Sequence, residues 1–374
     1  MAGWILAAAA ALLLSLPAHA RQPDEPPAGT RAEHTVAEAA DAPGREQIMA
    51  IPPELRAQFE KQVLAAGGNQ QQVLTRLVGF LFGKSGLGIT YRHDATYTVA
   101  EAYRTRTANC LTFTLLTVAL ARQAGLKAYG QGIEDTLTWH QDQSLVYRTN
   151  HVNAGVSVQT RRFAVDVAQD SVIARHPAQP IDDERLLALY YNNRAIELTG
   201  SGQRDAAARH MAASLQLDPG YATSWSNAGV LEMRKGDLQA AERHYEQALS
   251  LAPTHVATLV NLVALEERRG NAARAAAYRK RLDKEQLKDP FHQFQLALEQ
   301  EKRGQYDRAV GHYRNAIRLH EGEHRFHSGL ARVYLLLGHS RRAEKSLTRA
   351  HELSQGSVRD RYLAKLESLR MQPR

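Results

Sequence analysis

The stretch Trp225–Pro253, "WSNAGVLEMRKGDLQAAERHYEQALSLAP", reads as two helices folded back on one another. Small side chains at Gly229, Ala241 and Ala248 let the two axes approach closely, and the large rings of Trp225 and Tyr245 fill the gaps between them. Gly236 permits the turn, and Pro253 ends the second helix.

The same unit recurs on either side. Gly202, Gly236, Gly270, Gly304 and Gly338 stand 34 residues apart, and Ala207, Ala241, Ala275, Ala309 and Ala343 keep the same interval. Ser214, Ala248, Leu282, Ala316 and Ala350 share a third phase, and Pro219 and Pro253 a fourth. A 34-residue period with Trp225, Gly229, Gly236, Ala241, Tyr245, Ala248 and Pro253 at these places resembles the tetratricopeptide repeat. The resemblance implies an all-α tetratricopeptide-repeat solenoid of five repeats over 188–356. The tail "SVRDRYLAKLESLR" has Val358, Tyr362, Leu363, Leu366 and Leu369 at helical spacing and reads as a capping helix within 357–374. Repeat three has Arg279 where an aromatic is expected and no terminal proline, yet Gly270 and Ala275 keep it in phase.

Stacked helix pairs of this kind hold a peptide or an extended segment, so the implied partner is a protein or peptide. Basic pairs precede three of the glycines: Arg234–Lys235, Arg268–Arg269 and Lys302–Arg303. They read either as a ridge for an acidic ligand or as charge that complements the helix C-termini. The net charge of +8 arises wholly beyond residue 187, where 30 basic residues face 21 acidic ones; residues 21–187 carry 17 and 18. Such an excess favours anionic partners, but no aromatic-basic motif points to nucleic acid. Nothing in the sequence fixes an oligomeric state.

The chain opens "MAGWILAAAAALLLSLPAHA", an apolar run from Ile5 to Leu16 followed by Ala18-His19-Ala20, the pattern of a cleaved export signal over 1–20. The expected location is therefore periplasmic or secreted. Residues 21–46, rich in Pro, Ala and acid, read as a disordered leader, and "ARHPAQPIDDER" supplies a linker at 176–187. Export also sharpens the meaning of Cys110, the single cysteine, because thiols in an oxidising compartment are normally paired.

Cys110 stands in "RTANCLTFTLL", where Thr107 or Asn109 is a good N-cap and apolar residues from Leu111 onward make a largely buried helix ending at Gly125. A helix N-terminus collects unpaired N–H groups and positive potential, which favour a thiolate and can serve a developing oxyanion. A cysteine nucleophile needs a base, and the base an orienting group. Two strands supply them. In "NHVNAGVSV" the even-numbered valines and Ala154 form one face and leave His151 on the other; in "RRFAVDVAQ" Phe163, Val165 and Val167 leave Asp166 opposite. A hairpin turning at Gln159-Thr160 sets Asp166 opposite Asn153 and diagonal to His151, whereas a turn centred one residue later separates them. His140 and His93 are rival bases.

The order Cys110, His151, Asp166, with a cysteine-led helix followed by two strands, resembles the transglutaminase-like superfamily, a papain-like thiol fold. The lead-in "TYTVAEAYRTRTANC" and the helix end and strand "ALARQAGLKAYG" carry the likeness further; Ala108 and Val167 depart from it where glycine and proline are usual. The resemblance implies an α+β papain-like domain over 47–175 with Cys110 as nucleophile, His151 as base and Asp166 as the group that orients the imidazole. It further implies an exported enzyme of thiol-dependent acyl transfer, an amidase, protease or transamidase, with no cofactor; the competing reading is a non-catalytic interaction scaffold. One cysteine without a close histidine pair offers no zinc spacing, and no phosphate-binding or dinucleotide fingerprint is present.

Overall fold

In a computed structural model, residues 42–140, 145–167, 172–174 and 177–371 are described. The expected export signal at 1–20 and all but the end of the expected leader lie outside the described residues. The chain runs through α1 (Arg45–Ile48), α2 (Pro53–Phe59) with a π-helical turn at Glu60–Leu64, and α3 (Gln70–Phe82). It continues through β1 (Thr90–Tyr91), α4 (Val99–Thr105), β2 (Thr107–Ala108), α5 (Cys110–Gln123), β3 (Lys127–His140), β4 (Leu145–Val158), β5 (Arg161–Val165), β6 (Val172–Ala174) and β7 (Gln179–Ile181). Helices follow from there on: α6 (Asp183–Gly200), α7 (Arg204–Leu217), α8 (Ala222–Lys235), α9 (Leu238–Leu251), α10 (Val256–Arg268), α11 (Ala272–Gln286), α12 (Pro290–Lys302), α13 (Tyr306–Leu319), α14 (His324–Leu336), α15 (Ser340–Leu353) and α16 (Gly356–Met371). Among the described residues no helix is long and apolar enough to cross a membrane.

The described residues fall into two units, one of 42–133, 150–167 and 178–251, the other of 134–140, 145–149, 172–174, 177 and 252–371. The first is organised about α5, whose residues from Leu111 to Ala121 are all buried. Around it pack Leu55, Phe59 and Val63, the inner face of α3 at Leu74, Leu77 and Leu81, and Val152, Ala154 and Val156 of β4. Helix α3 begins with a capping box: Asn69 Oδ1 accepts the Gln72 N–H at 3.0 Å, and the Gln72 side chain accepts the Asn69 N–H at 3.0 Å. The sheet runs β5-β4-β3, with β7 pairing antiparallel to β3 at Gly130–Gly132 and β6 to β3 at Thr136–Thr138.

The structure corrects the expected linker at 176–187. Gln179–Ile181 is a strand in the sheet, Asp182 caps α6 by accepting the Arg185 N–H at 2.7 Å, and Leu186, Leu187, Tyr190 and Tyr191 belong to the core around α5. Proline and acid made this stretch look solvated, but its apolar residues repay burial: each large side chain is worth roughly 1.5–3 kcal/mol when fully covered. Order also begins within the expected leader, where the Pro43 carbonyl accepts the Tyr191 hydroxyl and Arg45 pairs with Glu184 at 3.0 Å.

The repeats form helix pairs. The first unit contains α6 with α7 and α8 with α9; the second contains α10 with α11, α12 with α13, α14 with α15, and then α16. Gly236 ends α8 at φ 90°, and the other four in-phase glycines also have positive φ. Gly229 faces Tyr245 so closely that a Cβ there would lie 2.3 Å from the ring. Repeat three keeps its pair, although α11 buries only Ala275 and Arg279 turns to Glu267. Helix α16 lays Tyr362 and Leu366 over Ala331, Leu347 and Ala350, as a cap requires. Each basic pair places one cation on a carboxylate within a turn: Lys235 on Glu232 at 2.8 Å, Arg269 near Glu266 at 3.7 Å and Arg303 on Glu299 at 2.6 Å. One cation of each pair is thus engaged at its own helix end.

Candidate active site

Local structure brings Cys110 to the start of α5. Helix α4 stops at Arg106, which takes the left-handed conformation at φ 55°, and β2 then pairs parallel with β1, Tyr91 opposite Ala108. Asn109 follows as N-cap: its Oδ1 accepts the Thr112 N–H at 2.8 Å, its Nδ2 donates to Thr96 Oγ1 at 2.7 Å, and its own N–H donates to the Ala95 carbonyl at 3.2 Å. Cys110 is the first helical residue and remains partly exposed, although the eleven residues after it are buried. The thiol thus sits where the end of the helix meets solvent.

His151 and Asp166 arrive from the sheet. Strands β4 and β5 pair antiparallel with Ala154 opposite Val165 and Val156 opposite Phe163, the register of a turn at Gln159-Thr160. Gln159 makes that turn at φ 53°. Two of the three proposed residues then meet directly: His151 Nε2 lies 2.7 Å from Asp166 Oδ2, with side-chain exposures of 4% and 6%. Asn153 Nδ2 donates to the same carboxylate oxygen at 3.2 Å. With Nε2 taken by Asp166, Nδ1 is the ring nitrogen left to serve Cys110, which lies close enough to act electrostatically on the imidazole.

The electrostatics follow from this enclosure. Burial works against the charged imidazolium of His151, but the hydrogen bond to Asp166 and the electrostatic interactions with Cys110 and Asp166 outweigh it and raise the group from 6.5 to about 10. The imidazole is therefore held as a cation beside the Asp166 carboxylate at neutral pH. Tyr91, 40% exposed, stands nearby; the desolvation of its phenol first, then Cys110 and Asp166, raise it above the ordinary range.

Sequence reasoning missed part of this site. Asn153 was visible only as the residue opposite Asp166, and its Oδ1 is buried without a hydrogen-bond partner. Tyr91 carries no signal in the sequence beyond its place before the cysteine helix, and the parallel pairing of β1 with β2 brings it there. Of the rival bases, His93 is exposed, and the side chain of His140 lies outside the described residues. Among the described residues, no group of three or more His, Cys, Asp or Glu side chains is placed to share a metal.

The second unit offers a different kind of site. A groove of about 700 Å³ runs between α13, α14 and α15, floored by Ile317 and Leu330 and edged by Arg314, Arg341, Lys345 and Arg349. Glu321, Glu344 and Glu352 share it, and Arg349 is paired with Glu321 at 3.4 Å and with Glu352 at 3.0 Å.

A family model described as the tetratricopeptide repeat matches residues 192–256, and one described as the TT21 fifth ARM repeats domain matches 229–335. The second half of the chain therefore carries tetratricopeptide repeats, a protein-interaction module; neither model reaches Cys110, His151 or Asp166. No curated protein matches the chain. Solved structures similar to it include YrrB, described as a tetratricopeptide-repeat protein with an unusual peptide-binding site, at 20% identity over 48% of this chain and 92% of that one, TM-score 0.26. Another is the thermophilic repeat protein TTC0263 of Thermus thermophilus, at 18% identity over 48% and 99%, TM-score 0.27. A third is pilF of Pseudomonas aeruginosa, at 13% over 50% and 93%, TM-score 0.27. The repeat assignment rests on the period and the matched models, not on these loose overlays.

Proposed function

We propose that the protein is a scaffold of the cell envelope, exported by its N-terminal signal, whose repeats recruit a protein or peptide partner. The observation that carries this reading is the repeat match at 192–256 on helix pairs that keep a single 34-residue phase. The basic excess of the repeats and the cationic edge of the α13–α15 groove favour an acidic peptide. Capture from an envelope extract by the full chain tests it. Binding should survive Cys110→Ala and fall when Arg341 and Lys345 are both changed to Glu; capture that needs Cys110 and ignores both cations would overturn it.

A second reading is favoured by a separate observation, the imidazole of His151 held between Asp166 and Cys110. This reading takes the likeness to the transglutaminase-like superfamily at face value and assigns thiol-dependent acyl transfer. His151 takes the Cys110 S–H proton, the resulting thiolate attacks an amide carbonyl carbon, and a C–S bond forms as the carbonyl π electrons move onto oxygen, facing the N–H groups at the start of α5. The imidazolium of His151 gives its proton to the leaving nitrogen, the C–N bond breaks, and a thioester stays on Cys110. Water or an amine, deprotonated by His151, then attacks the thioester and expels the thiolate. Asp166 holds Nε2–H and so keeps Nδ1 turned to the sulfur. Repeats joined to such a site would deliver the substrate protein.

Iodoacetamide alkylation against pH separates the two readings. An active site predicts a thiol that reacts well below pH 8 and slows on the order of 100-fold at pH 7 in His151→Gln. Alkylation that begins only above pH 8 and is indifferent to His151 leaves the scaffold alone standing.

A further inference from the structure

Asn153 is an unexpected residue to bury in a strand. It lies in β4 between Val152 and Ala154, 5% exposed, where branched apolar side chains pack well and asparagine is disfavoured. Its amide is also only half used. Nδ2 donates to Asp166 Oδ2 at 3.2 Å, while Oδ1 is buried and accepts no hydrogen bond among the described residues. A leucine of similar shape would leave no orphaned oxygen, and a buried position that breaks the packing rules in this way marks a site rather than a core.

The orientation of that amide is set by what it faces. His151 Nε2 and the Asn153 NH₂ both fall on one atom, Asp166 Oδ2, at 2.7 and 3.2 Å. Turned over, the amide would hold its own oxygen against the carboxylate oxygen, and the two would repel. As it stands, it donates to the ionised carboxylate and so favours that form over the protonated one. The topology shows what the bond tethers. Strand β5 ends at Val165, so Asp166 stands one residue past the paired strand. The register that sets Ala154 opposite Val165, carried one step further, sets Asn153 opposite Asp166. His151 and Asn153 are two apart on one strand and share its face. Strand β4 therefore supplies both the imidazole and the amide that hold this carboxylate.

We infer that Asn153 is a positioning residue of the thiol site: it ties the ionised Asp166 carboxylate to β4 and so holds it on His151 Nε2. The inference rests on the thiol reading of the site. The titratable groups acting on His151 are Asp166 beside β5 and Cys110 on α5, which also act on Tyr91 of β1. Asn153 carries no charge, so its replacement reaches the imidazole through Asp166.

The test uses the full chain with labelled histidine and follows the ring signal that disappears in His151→Gln. Asn153→Leu, and Asn153→Ala as a second variant, should each lower the titration midpoint of that ring by about half a pH unit, a proton affinity about threefold weaker. Val63→Ala, a core change elsewhere in the first unit, should lower the melting temperature and leave the midpoint alone. If Asn153→Leu and Asn153→Ala lower only the melting temperature, or if Val63→Ala moves the midpoint as far as they do, the positioning role is overturned. Iodoacetamide alkylation of Cys110 in wild type separates this role from the reading beneath it. A thiol reactive below pH 8, with a His151 midpoint unmoved by either Asn153 variant, overturns the role of Asn153 and spares the thiol reading. A thiol inert below pH 8 overturns the thiol reading and this role with it.

Discussion

Tyr245 in the repeats and His151 in the sheet are both buried side chains that depend on a partner from another element, and the partners are specified differently. Tyr245 meets Gly229 inside one repeat, in a frame the chain writes five times over. His151 meets Asp166 across one hairpin and Cys110 across the length of a helix and a strand, and each contact occurs once. In the repeats, an error in one unit leaves the others in phase, as repeat three demonstrates with Arg279 outside the packed seam. In the sheet, a slip of one residue at Gln159 would carry Asp166 away from His151 altogether. Redundancy fixes the binding module; a single turn fixes the candidate chemistry.

The strongest way to break this comparison is to overfill the repeat seam. A side chain at Gly229 begins 2.3 Å from the Tyr245 ring, so Gly229→Val should cost about 3 kcal/mol, read as a lower urea midpoint. Gly236, at φ 90° with open space around its missing Cβ, should cost only about 1 kcal/mol as Ala. Equal costs would mean that backbone conformation, not close approach, governs the seam. The sheet has its own counterpart in Gly155, where a Cβ would lie 2.5 Å from the Tyr129 ring beside the site.

The sheet side of the comparison is sharpened by pH. An unfolded histidine releases its proton near 6.5, whereas the folded His151 holds it to about 10, so the folded state binds more protons in between. The stability this supplies is fully present below pH 6.5 and is lost as pH rises through about 10. Wild type should therefore lose melting temperature over that window relative to Asp166→Asn, in which the imidazole loses its carboxylate. Parallel curves for the two proteins would show that the Asp166 bond does not hold the proton.

The repeats were legible because periodicity is a property of the sequence itself: Gly236 and Ala241 announce their roles by recurring. Cys110, His151 and Asp166 were legible as residue types on the right kinds of element, but the register was not. Nothing in "VQTRRF" marks the turn, since Gln159 adopts a left-handed conformation that glycine or asparagine would have advertised. The boundary at 187 came from a step in charge, and charge does not record which core a helix serves. On one side of α6, Ala195 and Leu198 cluster with Ala206 and Ala207 of its repeat partner α7, while on the other Leu187, Tyr190 and Tyr191 join the core around α5. A helix with two allegiances reads as a repeat because only one of them is periodic.

The smallest effect separates a cap that only starts a helix from one that also serves a site. Asn69 and Asn109 are both N-caps whose side chains accept an N–H three residues on, at 3.0 and 2.8 Å. Asn69 is exposed, and water can replace what its side chain supplies to the Gln72 N–H, so Asn69→Ala should cost about 1 kcal/mol and leave Cys110 alkylation unchanged. Asn109 is buried and also serves Thr96, so Asn109→Ala leaves two buried partners unsatisfied; it should cost more and move the alkylation profile as well. If the exposed cap moved the thiol profile as much as the buried one, the effect would be transmitted by general loosening of the first unit, and the wiring of the cap to Cys110 would have no privileged role.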